Sequence, residues 1–294
     1  MAHDTAEDLR VKPHTKVRLR DWDSSWAGPK EFRHLRGDQL KQEAQEILAN
    51  NLKRLSDAQD LLWSTGEFAL LVVLQGMDAA GKDGMIKHVM SGVNPQGCEV
   101  TSFKQPTAED LQHDFLWRYI RHLPERGRIG IFNRSYYEDV LVVRVHPEWL
   151  AKQHLKASRS LWRGRYEDIN ACERHLTTNR TVVRKFFLHI SRKEQKRRLL
   201  ARLNDPQKYW KFSESDLAER AYWKDYVEAY EDALSATSTK QAPWYIVPAD
   251  HKWVARALVS EILAGAIHDI KLKIPAPTAA QLSAIRKAKH LLQS

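Results

Sequence analysis

The sequence is 294 residues long and carries 47 Lys and Arg against 37 Asp and Glu, a net charge of +10 at pH 7. A chain of this length can bury a large core without disulfide bonds, and its two cysteines, Cys98 and Cys172, give no metal-binding pair, which excludes a disulfide-rich secreted domain. No apolar run approaches the roughly 20 residues of a membrane span, and the charged N-terminus lacks a signal-peptide core. We therefore expect one cytoplasmic domain without membrane association, spanning residues 1–294.

The N-terminal third of the chain leads into a glycine-rich turn. Residues 1–38 mix charges with Pro13, Gly28 and Pro29 and show no sustained period, which predicts an arm lying over the body of the domain. Apolar residues recur at helical spacing over residues 39–63 and predict a packing helix. The following run, FALLVVLQGMDAAGKDG over residues 68–84, predicts a strand, a loop and the start of a helix.

That turn fits the phosphate-loop pattern GxxxxGK. Gly76 and Gly81 permit a tight loop with inward N–H groups, and Lys82 with the helix N-terminus adds positive potential. Asp83 stands where a Ser or Thr hydroxyl normally contacts magnesium, so Asp78 is the first candidate for holding the metal. The predicted phosphate-binding residues here are Gly76, Ala79, Ala80, Gly81, Lys82, Asp83, Gly84 and Lys87.

Strands and helices alternate through the rest of the chain. The predicted strands are residues 98–103, 129–132, 182–190 and 243–248. The predicted helices are residues 85–90, 106–120, 192–203, 216–234 and 253–270. This alternation predicts an α/β fold with a parallel sheet.

A polar segment, NRSYYED over residues 133–139, follows the third strand at the sheet edge where ligands bind in such folds. Arg134 suits bidentate contact with phosphate oxygens, and Glu138 lies about one helical turn further on. A purely structural interpretation is also open: Asn133 caps a helix, Arg134 and Glu138 form an i,i+4 ion pair, and the tyrosines pack.

Two further segments are notable for their position or charge. Residues 140–176 have a broken helical pattern where nucleotide kinases carry a mobile lid, so a lid module is expected at about residues 137–176. His146 is interpreted as a turn residue before Pro147. Residues 184–211 hold ten basic and two acidic residues, a net charge of +8, which fits a polyanion channel, a nucleic-acid site or a solvated helix face. A basic tail, residues 271–294, ends the chain.

Several long motifs together resemble the polyphosphate kinase 2 family over about residues 30–270. They include GMDAAGKDGMIKHVMSGVNPQGC, LPERGRIGIFNRSYYEDVLVVRVHP and APWYIVPADHKWVAR. The chain is most similar to the family's class III branch, since Asn133 and Glu138 stand where classes I and II typically have Asp and Asn. The resemblance implies a P-loop kinase fold, with a parallel sheet flanked by helices on both faces and a helical lid.

The resemblance also implies an activity and a set of site residues. It implies reversible, Mg²⁺-dependent transfer, with Mn²⁺ as an alternative, from inorganic polyphosphate to AMP and ADP, giving ADP and ATP, by a homo-oligomer (dimer or tetramer) that binds no nucleic acid. The implied catalytic residues are Asp78, Lys82, Arg134 and Glu138, and the implied metal ligands are Asp78, Asn133 and Glu138. The implied polyphosphate contacts further along the chain are Arg134, Arg144, Arg192, Arg198, Lys208 and Lys211.

Two other function classes compete with this interpretation. An ATP-dependent nucleoside or nucleotide monophosphate kinase shares the loop, sheet and lid and differs only in its phosphoryl donor. A basic RNA- or DNA-binding module would use the +8 stretch and the ten tryptophans. The second class is disfavoured, because the aromatic residues fall at core spacing and no nucleic-acid-binding motif is visible.

Overall fold

The structure is a computed structural model that describes residues 2–27, 37–211 and 213–293. A five-stranded sheet with the order β2-β3-β1-β4-β5 forms its centre, and every neighbouring pair of strands is parallel. The strands are β1 (Ala69–Gln75), β2 (Cys98–Ser102), β3 (Ile129–Asn133), β4 (Thr181–His189) and β5 (Trp244–Pro248). The apolar run of β1 is buried along its whole length, as the central strand of a parallel sheet requires.

Helices cover both faces of the sheet and confirm the predicted α/β fold. In chain order they are α1 (Ala2–Leu9), α2 (Gly37–Thr65), α3 (Lys82–Val89), α4 (Trp117–Ile120), α5 (Val142–Val145), α6 (Glu148–Lys152), α7 (Arg159–Thr178), α8 (Arg192–Leu203), α9 (Glu214–Glu219), α10 (Trp223–Thr237), α11 (Lys252–His268) and α12 (Ala279–Gln293). Helices α2, α3 and α11 form one layer, and α7 and α10 pack together beside β4. Parallel strands place their carboxyl ends at one edge, so the segments after β1 and β3 meet there.

The N-terminal segment is integrated into the core more deeply than the predicted arm. Leu9, Val11 and Val17 are buried, and the backbone N–H of Val11 donates to the carbonyl of Trp244 on β5 at 2.9 Å. The segment therefore covers the β5 edge of the sheet, which would otherwise expose unpaired backbone groups. The part of the predicted arm at residues 28–36 lies outside the described residues.

The predicted helix over residues 106–120 is wrong as one continuous element. The chain forms a 3-10 turn at Asp110–Gln112, and α4 follows only at Trp117. His113 between them is extended, with φ −113° and ψ 170°, and Asp114 Oδ1 accepts the N–H of Leu116 at 2.9 Å. A short polar side chain thus binds the local backbone in place of the helical hydrogen bond, a competition that apolar spacing does not reveal.

The predicted helix over residues 216–234 is likewise divided in two. Helix α9 ends at Glu219, a 3-10 turn occupies Arg220–Tyr222, and α10 begins at Trp223. Nη1 of Arg220 donates to Oε1 of Gln195 on α8 at 2.7 Å. A contact with a residue 25 positions away in the sequence therefore stabilises the interruption between α9 and α10. The predicted helix over residues 192–203 is confirmed as α8.

The C-terminal tail contains a helix that the sequence analysis did not predict. Helix α12 lies within residues 271–294 and its side chains are exposed. Among the described residues, no helix combines the length and the apolar character needed to cross a membrane.

Candidate active site

The loop after β1 is shaped by two glycines at its ends. Gly81 has φ +107°, a left-handed conformation that a residue with a side chain adopts only under strain, and it precedes α3. At Gly76 the backbone passes so close to β4 that a Cβ atom would lie 3.0 Å from the carbonyl oxygen of Leu188. The glycines of GxxxxGK are thus required by the loop's geometry, and the loop leads directly into the N-terminus of α3.

Lys82 points back over this loop. Its Nζ donates to the carbonyl oxygen of Gly76 at 2.7 Å, and the side chain is half-buried. Burial, reinforced by the positive charge of Arg134, lowers the pKa of Lys82 from 10.5 to about 8. The positive charge of Lys82 is therefore less stable than that of an exposed lysine, and an anion bound at the loop would stabilise it.

Arg134 joins the two halves of the predicted site. It follows β3 with φ +66°, an uncommon conformation for a residue with a side chain. Its Nη2 donates to Asp78 Oδ1 at 3.0 Å, and its Nη1 donates to Glu138 Oε2 at 2.9 Å. The i,i+4 ion pair of the structural interpretation therefore exists, and it lies at the phosphate loop. The negative charge of Glu138 has the largest effect on the pKa of this guanidinium and raises it. Burial lowers the pKa but has a smaller effect, so the pKa is raised overall.

The three residues predicted as metal ligands are only partly brought together. Asp78 and Glu138 share Arg134, whereas Asn133 donates from Nδ2 to Asp83 Oδ1 at 2.8 Å. Within the described ranges, no group of three or more His, Cys, Asp or Glu side chains forms a ready metal cage. The oxygens present are nevertheless carboxylates, which match the preference of Mg²⁺ for hard ligands and for sites completed by substrate phosphates.

A basic cavity of about 580 Å³ opens on one side of Asp78 and Arg134. The phosphate loop forms its floor, and nine basic but only two acidic residues line it. The basic residues are Lys82, Lys104, Arg134, Arg197, Arg198, Arg202, Lys208, Lys252 and Arg256. Five of these residues were not predicted as site residues: Lys104, Arg197, Arg202, Lys252 and Arg256. A usable signal existed for Lys104 and Lys252, since each lies within four residues of the carboxyl end of a strand, the edge at which ligands bind.

A second cavity of about 570 Å³ lies on the other side of the same two residues. It differs in chemistry, because it is lined by several carboxylates and by the aromatic rings of Phe115, Tyr119, Trp149 and Tyr226, none of which lines the basic cavity. Helices α5 and α6 of the predicted lid form one of its walls. The two cavities share four lining residues, Asp78, Phe103, Lys104 and Arg134, so a group bound in one can reach a group bound in the other.

Arg198 lines the basic cavity but also supports the loop. Its Nη1 donates to the carbonyl oxygens of Ala79 and Ala80 at 3.0 and 2.8 Å, and its Nη2 donates to that of Ala249. The side chain is buried, with 5% exposed. Its guanidinium is thus largely engaged with backbone, and it holds the phosphate loop against the segment after β5.

Other predicted polyphosphate contacts lie outside this cavity. Lys87 is exposed on α3, and Arg192 is exposed at the start of α8. Arg144 binds Asp232 Oδ2 at 2.6 Å and therefore connects the lid to α10. The side chain of Lys211 lies outside the described part of the chain. Of the six contacts implied beyond the phosphate loop, the structure brings Arg134, Arg198 and Lys208 to the basic cavity.

A buried polar network lies beneath the 3-10 turn at Tyr136–Val140, which carries Glu138. Lys185 on β4 belongs to it rather than to any channel, since the side chain has no exposed surface and donates to Glu173 Oε2 at 2.5 Å. Glu173, on α7, also accepts the hydroxyls of Tyr136 and Tyr137, each at 2.9 Å. Burial raises the pKa of Glu173 and lowers that of Lys185, and their mutual attraction opposes both shifts. The network fixes α7 and residues 136–140 to the sheet.

Comparison with known proteins agrees with this geometry. The chain is 52% identical to "ADP-polyphosphate phosphotransferase" of Rhodopseudomonas palustris over 257 residues, 86% of this chain and 87% of the relative. It is 44% identical to "AMP/ADP-polyphosphate phosphotransferase" of Meiothermus ruber over 271 residues, 92% and 96% of the two chains. The crystal structure of polyphosphate kinase 2 from Arthrobacter aurescens TC1 superposes with a TM-score of 0.85 at 41% identity, covering 96% of each chain.

The profile of the family described as "Polyphosphate kinase 2 (PPK2)" matches residues 38–275, which include the loop, both cavities and the lid segment. This match confirms the family and the P-loop kinase fold inferred from the sequence motifs. The chain belongs to the polyphosphate kinase 2 family of phosphotransferases.

Proposed function

We propose that the protein transfers the terminal phosphoryl group of inorganic polyphosphate to the terminal phosphate of AMP and then of ADP, reversibly, giving ADP and ATP. The observation that carries this proposal is the junction of two unlike cavities at Asp78 and Arg134. The basic cavity suits a donor made only of phosphate groups, and the aromatic, acidic cavity suits a base and a ribose. Both relatives described above are named for polyphosphate phosphotransfer, to ADP in one and to AMP or ADP in the other.

The chain's own residues supply positioning and positive charge. The acceptor's terminal phosphate is already a nucleophile, so it needs alignment with the donor more than it needs a strong base. Lys82 and the N–H groups of the loop hold the transferring phosphoryl group. Arg134 leaves its carboxylate partners to neutralise charge that develops between donor and acceptor.

Phosphoryl transfer by kinases generally uses a divalent cation, and we propose Mg²⁺, with Mn²⁺ as an alternative. Asp78 and Glu138 would hold it, and Asn133 is the third proposed ligand. When bound, the cation neutralises phosphate charge that the basic residues leave uncompensated. The homo-oligomeric state and the cytoplasmic location stay predictions.

The assignment of the two cavities predicts a selective effect of Arg256→Ala. Arg256 Nη2 lies 3.6 Å from the point where a Cβ on Gly84 would be, so it faces the first turn of α3 from inside the basic cavity. We expect the KM for polyphosphate to rise about 5- to 10-fold, because one phosphate contact is lost, with the KM for ADP within about twofold.

The matched control for this experiment is Lys53→Ala, which removes an exposed positive charge on α2 outside both cavities. It is expected to leave both KM values unchanged. If Arg256→Ala raised the KM for ADP and not that for polyphosphate, the assignment of donor and acceptor to the cavities would be reversed.

The lowered pKa of Lys82 predicts a pH dependence. Lys82 must carry its charge to attract phosphate, so kcat/KM for polyphosphate is expected to fall as the pH rises above about 8. Destabilisation through the titration of Lys82 does not explain such a fall. Between about 8 and 10.5 the unfolded chain binds more protons at this lysine than the folded chain, so its contribution to stability increases with pH. A profile of kcat/KM that stays flat to pH 10 in folded protein would contradict the role of Lys82.

A further inference from the structure

Gln75 is a buried polar residue at the end of an otherwise apolar strand. It is the last residue of β1, is 1% exposed and pairs in register with Phe187 of β4. Burying an amide costs desolvation free energy, and a Leu or Met side chain at the same position would not carry this cost. Core packing alone therefore does not account for a glutamine here.

The amide of Gln75 is directed at Glu138. Its Nε2 donates to Glu138 Oε1 at 3.0 Å, while the other carboxylate oxygen, Oε2, accepts from Arg134. The orientation of the amide follows from chemistry, because a carboxylate only accepts hydrogen bonds and would repel the amide oxygen. Glu138 is thus held from two sides, by a neutral donor on β1 and by the guanidinium that follows β3.

This arrangement leaves the other end of the amide unsatisfied. Gln75 Oε1 is buried and has no hydrogen-bond partner among the residues that the structure describes. An unpaired buried carbonyl oxygen costs about 1–3 kcal/mol, comparable to what one hydrogen bond to a charged group contributes. The amide therefore adds little net stability, and its visible effect is the placement of Glu138.

We propose that Gln75 is a positioning residue for phosphoryl transfer, which holds Glu138 at the junction of the two cavities when Arg134 turns to the phosphates. The inference rests on the proposed function, because it takes Arg134 and Glu138 as parts of the reacting site. In the proposed mechanism Arg134 leaves Asp78 and Glu138 for phosphate oxygens, so its hydrogen bond to Glu138 Oε2 is given up. Gln75 has no such second task, so its bond to Glu138 Oε1 persists through the reaction.

The test is Gln75→Met, a substitution of similar length that lacks the donor. We expect kcat with ADP to fall about tenfold, the equivalent of about 1.4 kcal/mol, with the KM for polyphosphate within about twofold. The midpoint of urea unfolding is expected to stay unchanged, because the variant loses the unsatisfied oxygen together with the hydrogen bond.

Gln59 provides a matched control on α2. It is also 1% exposed, but both ends of its amide are paired, with the backbone carbonyl and N–H of Asn94 at 3.2 and 3.0 Å. Gln59→Met is expected to lower the unfolding midpoint and to leave kcat per folded molecule unchanged. The same chemical change thus has opposite consequences at the two sites.

Adding the substitution to a Glu138→Ala variant tests whether Gln75 acts through Glu138. In Glu138→Ala protein, single-turnover rates should change less than about twofold on adding Gln75→Met, since there is no carboxylate left to position. A further tenfold loss in that background would overturn the proposal, as would wild-type kcat in the single variant. If the unsubstituted protein used ATP but not polyphosphate, the proposed function would fail, and the Gln75 comparison would be made with ATP as donor.

Discussion

A Lys82→Ala variant is expected to lose kcat/KM for polyphosphate by a factor on the order of 10² to 10³ while remaining folded. The ammonium group is held over the phosphate loop by two backbone carbonyl oxygens, that of Gly76 at 2.7 Å and that of Met77 at 3.5 Å, so it can turn to an incoming phosphate. It acts where charge develops in the proposed reaction, and alanine has no positive charge to replace it. Steady-state kinetics with polyphosphate and ADP measures the loss.

The fold of this variant is checked by circular dichroism and urea unfolding. Stability should change little, because burial already disfavours the charged form of Lys82, as its lowered pKa shows. Lys53→Ala again serves as the matched lysine control. Near wild-type kcat/KM in a folded Lys82→Ala protein would remove Lys82 from the mechanism.

A Lys185→Met variant is expected to lose about 3–5 kcal/mol of unfolding free energy. The substitution leaves Glu173 charged in the core, without the ammonium that donates to it at 2.5 Å. Lys193→Met, at an exposed position of α8, should change the unfolding free energy by no more than about 0.5 kcal/mol. Urea unfolding at pH 7.5 measures both.

Two additional measurements identify an unpaired carboxylate as the cause. The pKa of Glu173 is raised by burial, and loss of Lys185 removes the attraction that opposes this shift. A raised folded-state pKa means that protonation stabilises the fold, so the deficit of the variant should shrink as the pH falls. Adding Glu173→Gln should recover part of the loss at neutral pH. A deficit independent of pH and unaffected by Glu173→Gln would point to a packing defect.

The positions of the strands and the parallel sheet were predictable because they follow from local apolar pattern and from the alternation of strands and helices. The apolar run before Gly76 and the short run before Asn133 are neighbours in the parallel sheet, and the chain alternates strands and helices as that topology requires. The two helices that were predicted too long are interrupted by hydrogen bonds of polar side chains, which the spacing of apolar residues does not reveal. Asp114 binds its own backbone nearby, and Arg220 reaches across to α8.

The candidate site was predictable where residues follow strands directly. Asp78, Lys82 and Arg134 meet because the carboxyl ends of β1 and β3 are adjacent. The polyphosphate contacts were predicted less well from charge alone, since the net charge of a segment does not specify where each side chain points. Lys185 belongs to the strongly basic stretch but lies in the core, where it pairs with Glu173. Arg144 was predicted to contact polyphosphate but binds Asp232. Gln75 was missed because a polar residue at a strand end looks like the start of a loop.

The most direct test of the account is an ATP-free reaction containing the purified protein, Mg²⁺, long-chain polyphosphate and either AMP or ADP, with products separated by chromatography. We expect ADP to be converted to ATP, and AMP to yield first ADP and then ATP. Conversion of ADP alone would retain the polyphosphate donor and remove AMP from the acceptors. If neither nucleotide were phosphorylated by polyphosphate while ATP phosphorylated AMP, the central claim about the donor would be contradicted.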